Sequence, residues 1–392
     1  MKLNIKKTQI VVFTKGKNQF LTDFFFNGVK LKQVSFYKYL GNLFYENLSF
    51  KPNLEFVVKK ATKASFLFWK YLNRFHNMKV SEILLLYDSL IVPILLYGCE
   101  VWGPMVSPKE IENTIELFNR KMLRRVLKVG DRCTKIPLYC ETGRLPLEYE
   151  IKLKVLKYLF QIRRWDEKKL CLKAFDDMIS YSNKYKNYIE NLFQEIGLSL
   201  DVFHNSSIEE ILVCEGLFME KARNVLIQNF LNLVHTEMEK NKKLFFYNQI
   251  YPKNSIIFGF KKYLDVIPNQ WKRSVFTRFK IGNHRLNVEI GRWRKIERHL
   301  RRCRFCFCGS IEDENHLLFH CPYFQEKRDV FYSKITEIIP NFRNAEIPVQ
   351  RRLMYIEEIP EMIFIVSDFI NCIMNQVNKM YDSENIGIIL NI

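Results

Sequence analysis

Six potential metal ligands crowd into residues 303–322, CRFCFCGSIEDENHLLFHCP: Cys303, Cys306 and Cys308, then His316, His320 and Cys321. No other stretch constrains the fold as tightly. Zinc takes four soft or borderline ligands in a tetrahedron, so the backbone that supplies them must turn back on itself. Cys303 and Cys306 have the spacing of a knuckle turn, and Gly309 lets the chain fold back. Glu312-Asp313-Glu314 reads as the acidic first turn of a helix carrying His316 and, a turn later, His320 or Cys321. The predicted ligand set is Cys303, Cys306, His316 and Cys321, written C-x2-C-x9-H-x4-C, with Cys308 able to replace Cys306 and His320 able to replace Cys321. A lone cysteine is usually a small buried hydrophobe, but four of the ten cysteines here fall within nineteen residues. A structural Zn²⁺ in such a site contributes on the order of 10–16 kcal/mol of apparent binding energy, enough to decide whether the module folds.

The residues just ahead of this cluster are the most basic of the chain. Between Trp271 and Cys308 stand twelve Lys and Arg and only two acids, Glu289 and Glu297, with Trp271, Phe276, Phe279, Trp293 and Phe305 interleaved. Cations contact phosphates, and flat rings or guanidinium planes stack on bases, so the mixture suits single-stranded or structured RNA. A solvated basic face over core aromatics is the other reading. The candidate nucleic-acid contacts are Arg278, Lys280, Arg285, Arg292, Trp293, Arg294, Arg298, Arg301 and Arg302. The formal charge of +19 over 392 residues favours a polyanionic partner, nucleic acid before a membrane surface.

The rest of the chain reads as mainly α with a small N-terminal β element (α+β). Residues 1–50 hold short β-branched and aromatic runs, Gln9 to Phe13 and Phe24-Phe25-Phe26, the latter ending at the hairpin signal Asn27-Gly28. From 51 to 130 the period turns helical: Leu54, Val57, Val58, Ala61, Ser65, Phe68, Leu72 and Phe75 fall on one stripe. Residues 83–99, ILLLYDSLIVPILLYGC, imitate a membrane span. They are short for one and carry Asp88 and Pro93, so an internal helix, buried nearly all round and bent at Pro93, is expected. Pro146 opens a further helix to about Trp165, within a helical connector over 131–270. There Asp176-Asp177 is expected on a helix surface, not in a polymerase metal site. After the basic module at 271–325 a helical tail, 326–392, carries the apolar stripe Met362, Ile365, Val366, Phe369, Ile373, Met374 and Val377. The remaining cysteines show no disulfide framework, and Lys6-Lys7 interrupts the only early apolar stretch. A reducing compartment, nucleus or cytoplasm rather than secretion, is expected.

Several segments together resemble the C-terminal half of reverse transcriptases from non-LTR (LINE-type) retrotransposons. Residues 4–8, Asn-Ile-Lys-Lys-Thr, leading into Val11-Val12-Phe13, resemble the strand that follows the polymerase aspartates. Residues 36–41, FYKYLG, are similar to the primer grip, and 94–103, ILLYGCEVWG, to a stretch of the thumb. Residues 141–147, ETGRLPL, then 279–286, FKIGNHRL, and 289–293, EIGRW, resemble recurrent family segments ahead of the Cys/His knuckle, all in the family's order. The resemblance implies a palm edge, a primer grip with Lys38 near nucleic acid, a helical thumb, and template RNA with primer or target DNA as partners. It also implies a structural Zn²⁺ and, in the full-length enzyme alone, catalytic Mg²⁺ held by palm carboxylates. The aspartate pair is not among the resembling segments, so no catalytic residue is assigned. Lys7, at a position that assists pyrophosphate departure in such enzymes, cannot act without the metals.

Overall fold

The computed structural model describes residues 4–5, 8–14, 22–75, 78–165, 168–252 and 255–389. The expected class is observed: among the described residues helices dominate, and strands are few and short, lying within the first 45 residues apart from isolated bridges at Thr142–Phe260 and Arg302–Ile311. Lys6 and Lys7 lie outside the described residues. Two compact units emerge, each assembled from separated stretches. The first takes residues 1–76, 85–119 and 145–228; the second takes 77–84, 120–144 and 229–392.

In the first unit the Asn27-Gly28 turn joins Phe25–Phe26 to Val29–Lys30 in an antiparallel hairpin. The expected strand over Gln9 to Phe13 shrinks to Gln9–Ile10, which pairs in parallel with Lys32–Gln33. Phe36–Tyr39 pairs with Asn42–Tyr45, so the FYKYLG segment forms a hairpin of its own. The Asn42 amide packs on the thumb-like segment at Gly98: a Cβ there would lie 2.4 Å from Asn42 Nδ2, and Gly98 has φ +66°. Only glycine meets both demands. Asn53 completes the junction by donating to Asn42 Oδ1 (3.3 Å) and accepting the Leu43 N–H (2.9 Å).

The helix Lys51–Leu72 buries Leu54, Val57, Ala61, Ser65, Phe68 and Leu72 of the stripe its sequence sets out, with Val58 half-buried. Phe75 falls beyond the helix end and is exposed. The apolar run that follows breaks into Val80–Leu90 and Val92–Leu95, with Pro93 in the first turn of the second piece. Leu84, Tyr87, Ile91 and Leu95 are buried, but Leu85 and Leu90 are mostly exposed, so the helix is buried on one side and not all round. Among the described residues no single helix is long and apolar enough to cross a membrane. One pair, Val80–Leu95 with Cys99–Met105, passes on length and composition but is bent by 56°. The helix Leu147–Arg163 lies against Cys99–Trp102, where Trp102 is fully buried and donates to the Tyr97 carbonyl at 2.9 Å. Phe160, Phe193, Phe203 and Phe218 close the far end as an aromatic cluster. Asp176 and Asp177 lie on the helix Leu170–Ser180, and Asp176 faces His204.

The second unit is built around the helix Gln270–Lys280, which packs on the long final helix Pro360–Ile389. That final helix buries Met362, Val366, Phe369, Ile373, Met374 and Val377. Phe276 and Phe279 are core side chains touching Tyr263, Phe246 and Tyr355. They are therefore unavailable to bases. The helix Lys135–Thr142 ends at Gly143 in the left-handed region, against the backbone of Phe260, and Thr142 bridges Phe260.

Candidate metal centre and the basic surface around it

The knuckle begins as a two-stranded ribbon. Cys303 donates its N–H to Ser310 O (2.8 Å) and Glu312 to Arg301 O (2.9 Å), while Gly309 takes φ +74° at the tip. Chain direction then reverses through a π turn, His316–His320, closed by Cys321 N–H on His316 O at 2.6 Å. π turns hold one extra residue per loop and concentrate where side chains must converge. Here the turn brings His316 and Cys321 onto the side occupied by Cys303 and Cys306. Their four ligand atoms all lie within 4.8 Å of one another.

Finer distances test the fit to a metal. A tetrahedral Zn²⁺ at about 2.3 Å from sulfur and about 2.0 Å from nitrogen sets ligand atoms about 3.5–3.8 Å apart. Cys303 Sγ and Cys321 Sγ are 3.9 Å apart, and Cys306 Sγ and His316 Nε2 are 3.3 Å apart. The group can therefore hold a metal ion, and its three sulfurs and one imidazole are the donor set zinc prefers. Cys308 is exposed, 3.0 Å from Cys306 Sγ and 4.0 Å from His316 Nε2. His320 is exposed and outside the cluster. Burial pushes the thiols of Cys303 and Cys306 up and the His316 imidazole down. A bound dication reverses that preference at the thiols. Hydrogen bonding to Ser310, then to Cys306, brings Cys308 down to about 7.

The acidic triplet that the sequence offers as a helix start has three separate tasks. Buried Glu312 accepts from Arg304 (Nη2–Oε1 2.6 Å) and from Asn287 N (2.9 Å), fastening the ribbon to the helix Asn287–Trp293. Asp313 caps the π turn by accepting from His316 N (3.0 Å) and also meets Arg298 at 3.2 Å. Glu314 faces His284 Nε2 at 2.8 Å, with both side chains buried. Behind the turn, Arg328 donates to Leu318 O and Cys321 O, both at 2.9 Å. Sequence reasoning misses these supports; three consecutive acids just after the most basic stretch are the available signal.

The basic residues divide sharply. Lys280, a candidate nucleic-acid contact by sequence, is instead fully buried, with Glu141 at 2.9 Å and the rings of Tyr251 and Tyr263 beneath its ammonium. Burial is the largest single influence and lowers its pKa; the charges of Glu141, Tyr251, Tyr263 and Glu357 together outweigh that and hold it well above its ordinary value. Arg301, another candidate, turns its guanidinium inward to donate to Ile296 O and Val288 O. Both side chains are consumed by the fold. Arg292 pairs with Glu289 at 2.7 Å and Arg298 with Asp313.

Arg294 and Arg302 are exposed. Arg278 and Arg285 meet Trp293 in one cleft of about 840 Å³, which Trp271, Arg132, Asn375, Asn378, Lys379 and Tyr381 also line. Arg278 is steadied there by Lys128 O (2.8 Å) and Arg285 by Asp382 (2.8 Å). Lys38 belongs to the first unit, exposed on the Phe36–Tyr39 strand, with its ammonium 5.5 Å from the Phe56 ring.

Comparison with known proteins gives one finding that bears on this arrangement. Over 165 residues, 42% of this chain, the sequence is 26% identical to the "Probable RNA-directed DNA polymerase from transposon BS" of Drosophila melanogaster. That stretch is 18% of the fly protein's length, so the chain spans a small part of it. The match supports a reverse-transcriptase-related region. No protein-family profile matches the chain, and no solved structure does.

Proposed function

We propose that this chain is a nucleic-acid-binding, C-terminal part of a LINE-type retrotransposon RNA-directed DNA polymerase that does not polymerise by itself. In this reading residues 1–50 are a palm edge with its primer grip, 51–130 the thumb, 131–270 a connector, 271–325 the zinc-stabilised basic module and 326–392 a helical tail. The observation that carries it is the metal-ligand cluster of Cys303, Cys306, His316 and Cys321 in the same unit as a cleft lined by exposed arginines and tryptophans. Similarity to the fly transposon polymerase supports it. So do the bonds between motifs: Glu141 of ETGRLPL holds Lys280 of FKIGNHRL, and His284 of FKIGNHRL holds Glu314 of the knuckle.

The ion's task is structural. Bound Zn²⁺ would neutralise the converging thiolates, while Arg304, Arg328 and the three acids keep the ribbon and turn in register. That fixes where Arg294 and Arg302 present charge to phosphates and where Trp293 presents its ring. The partners are RNA and DNA, met in nucleus or cytoplasm. Mg²⁺ belongs to the full-length enzyme, whose carboxylate pair has no counterpart among the resembling segments.

Binding of the zinc-loaded chain to RNA and duplex DNA, titrated by anisotropy across salt concentrations, tests the reading. Log affinity is expected to fall linearly with log salt, by about 0.9 per duplex phosphate neutralised and about 0.7 per single-strand phosphate. Changing Arg294 and Arg302 to Ala should flatten the slope by about one for each phosphate that is no longer neutralised. Affinity indifferent to salt and to both changes would sink it. Since much of the basic run pairs internally, a zinc-stabilised protein-interaction module is the rival. A stoichiometric protein partner recovered without nucleic acid would select that rival. Primer extension by this chain alone would overturn the non-catalytic assignment.

A further inference from the structure

We propose that the cleft between the helix Gln270–Lys280 and the final helix seats unpaired nucleotides, stacking bases on Trp271 and Trp293 and reading their edges with Asn375 and Asn378. The inference rests on the nucleic-acid reading above and adds a locus, a strandedness and a role for the final helix.

The two tryptophans are the first observation. Trp271 is 57% and Trp293 38% exposed, whereas Phe276 and Phe279 of the same segment are almost wholly buried. Both indoles line one cleft. Tryptophan left in water forgoes a large burial gain, and rings gathered this way commonly meet a ligand. Every base offers a π face, but only an unpaired, splayed base can lie on a side-chain ring. A duplex keeps its faces stacked.

Charge is the second. Arg132 sits 4.5 Å over the Trp293 ring and Arg285 4.6 Å over Tyr381, so cations stand directly against the cleft's rings. Four cations, Arg132, Arg278, Arg285 and Lys379, stand against two carboxylates, Asp131 and Asp382, in the lining. The Arg285–Asp382 pair is exposed on both sides. Such a pair contributes little in water, and a phosphate, whose oxygens match the guanidinium fork, can replace its carboxylate.

Size and donors complete the case. A volume of about 840 Å³ falls within the range of sites that enclose small ligands, so a few nucleotides fit but a duplex does not. Asn375 and Asn378 lie one turn apart on the final helix, each offering an amide donor and acceptor. Carboxamides of this kind match the paired donor and acceptor of an adenine edge.

The test uses the full, zinc-loaded chain and one oligonucleotide sequence as single-stranded RNA, single-stranded DNA and duplex. Trp271→Ala and Trp293→Ala should each weaken single-strand binding about 5- to 150-fold, the effect of removing one stacked base, while duplex binding and zinc content hold. Trp271→Phe and Trp293→Phe should keep most of the affinity, which separates a lost ring from a lost fold. A strand carrying a photoreactive pyrimidine should crosslink to peptides containing Trp271, Trp293 or Tyr381. RNA and DNA arms that differ identify a 2′-hydroxyl contact; equal arms identify recognition through base and phosphate, and both are consistent with the cleft. Unchanged single-strand affinity in both Ala variants, or crosslinks confined elsewhere, overturns the cleft while the nucleic-acid reading stands. Wild-type chain that binds no nucleic acid overturns both.

Discussion

At Cys321 a single residue joins two constraints: its side chain is fully buried, and its backbone carbonyl receives Arg328. Cys308, 3.0 Å from Cys306 on the same ribbon, is solvated and tied to Ser310. Cys321→Ala should therefore abolish stoichiometric zinc and unravel the knuckle, whereas Cys308→Ala should keep both. Metal analysis of the purified variants with hydrogen exchange over 303–321 checks this, and loss of zinc in Cys308→Ala would reverse the ligand assignment. The cysteine and histidine spacing makes a four-ligand cluster legible in advance. The choice between Cys321 and His320 is not legible, since it depends on a π turn that sequence period cannot reveal, and the choice between Cys306 and Cys308 depends on how the chain turns ahead of Gly309. Likewise nothing about Lys280 marks it as buried. A cation amid cations looks solvated until its carboxylate, 139 residues earlier, is found beside it.

Among elements, turns are the easiest to foresee and strand lengths the hardest. Asn27-Gly28 and the Lys51–Leu72 stripe follow from local chemistry. The Gln9 to Phe13 run looks like a strand, but Lys32–Gln33 offers it only two paired residues, and β-propensity without a partner does not make a strand. Gly143 shows what a helix end can carry: its φ is +64°, and a Cβ would lie 2.2 Å from Phe260 N. Gly197 shares the backbone conformation (φ +69°) but has open space around it. Gly197→Ala should thus cost about 1 kcal/mol, the left-handed penalty alone, and Gly143→Ala at least about 2 kcal/mol more, since backbone must move. Urea unfolding of the two variants measures the difference; equal losses would show that Phe260 yields freely.

On the scale of the whole molecule, each unit is stitched from distant stretches, so the second unit's stability depends on pairs that sequence order hides. Glu141 and Lys280 are both fully buried, with Tyr247 donating to the carboxylate at 2.8 Å. Removing one partner of such a pair strands the other charge. Lys280→Met should destabilise by about 3–5 kcal/mol, and the double change Glu141→Gln with Lys280→Met should recover most of that. Denaturant midpoints report both, and the salt slope of nucleic-acid binding should not change in either variant. A large drop in that slope on Lys280→Met would return the ammonium to the surface.

That same pair governs how the molecule can be dissected. A fragment trimmed to begin at Trp271 would leave Glu141 behind and uncover a lysine that the intact protein keeps dry. Any stickiness such a fragment showed toward polyanions would owe something to the scissors, so recognition is better mapped by point changes in the uncut chain.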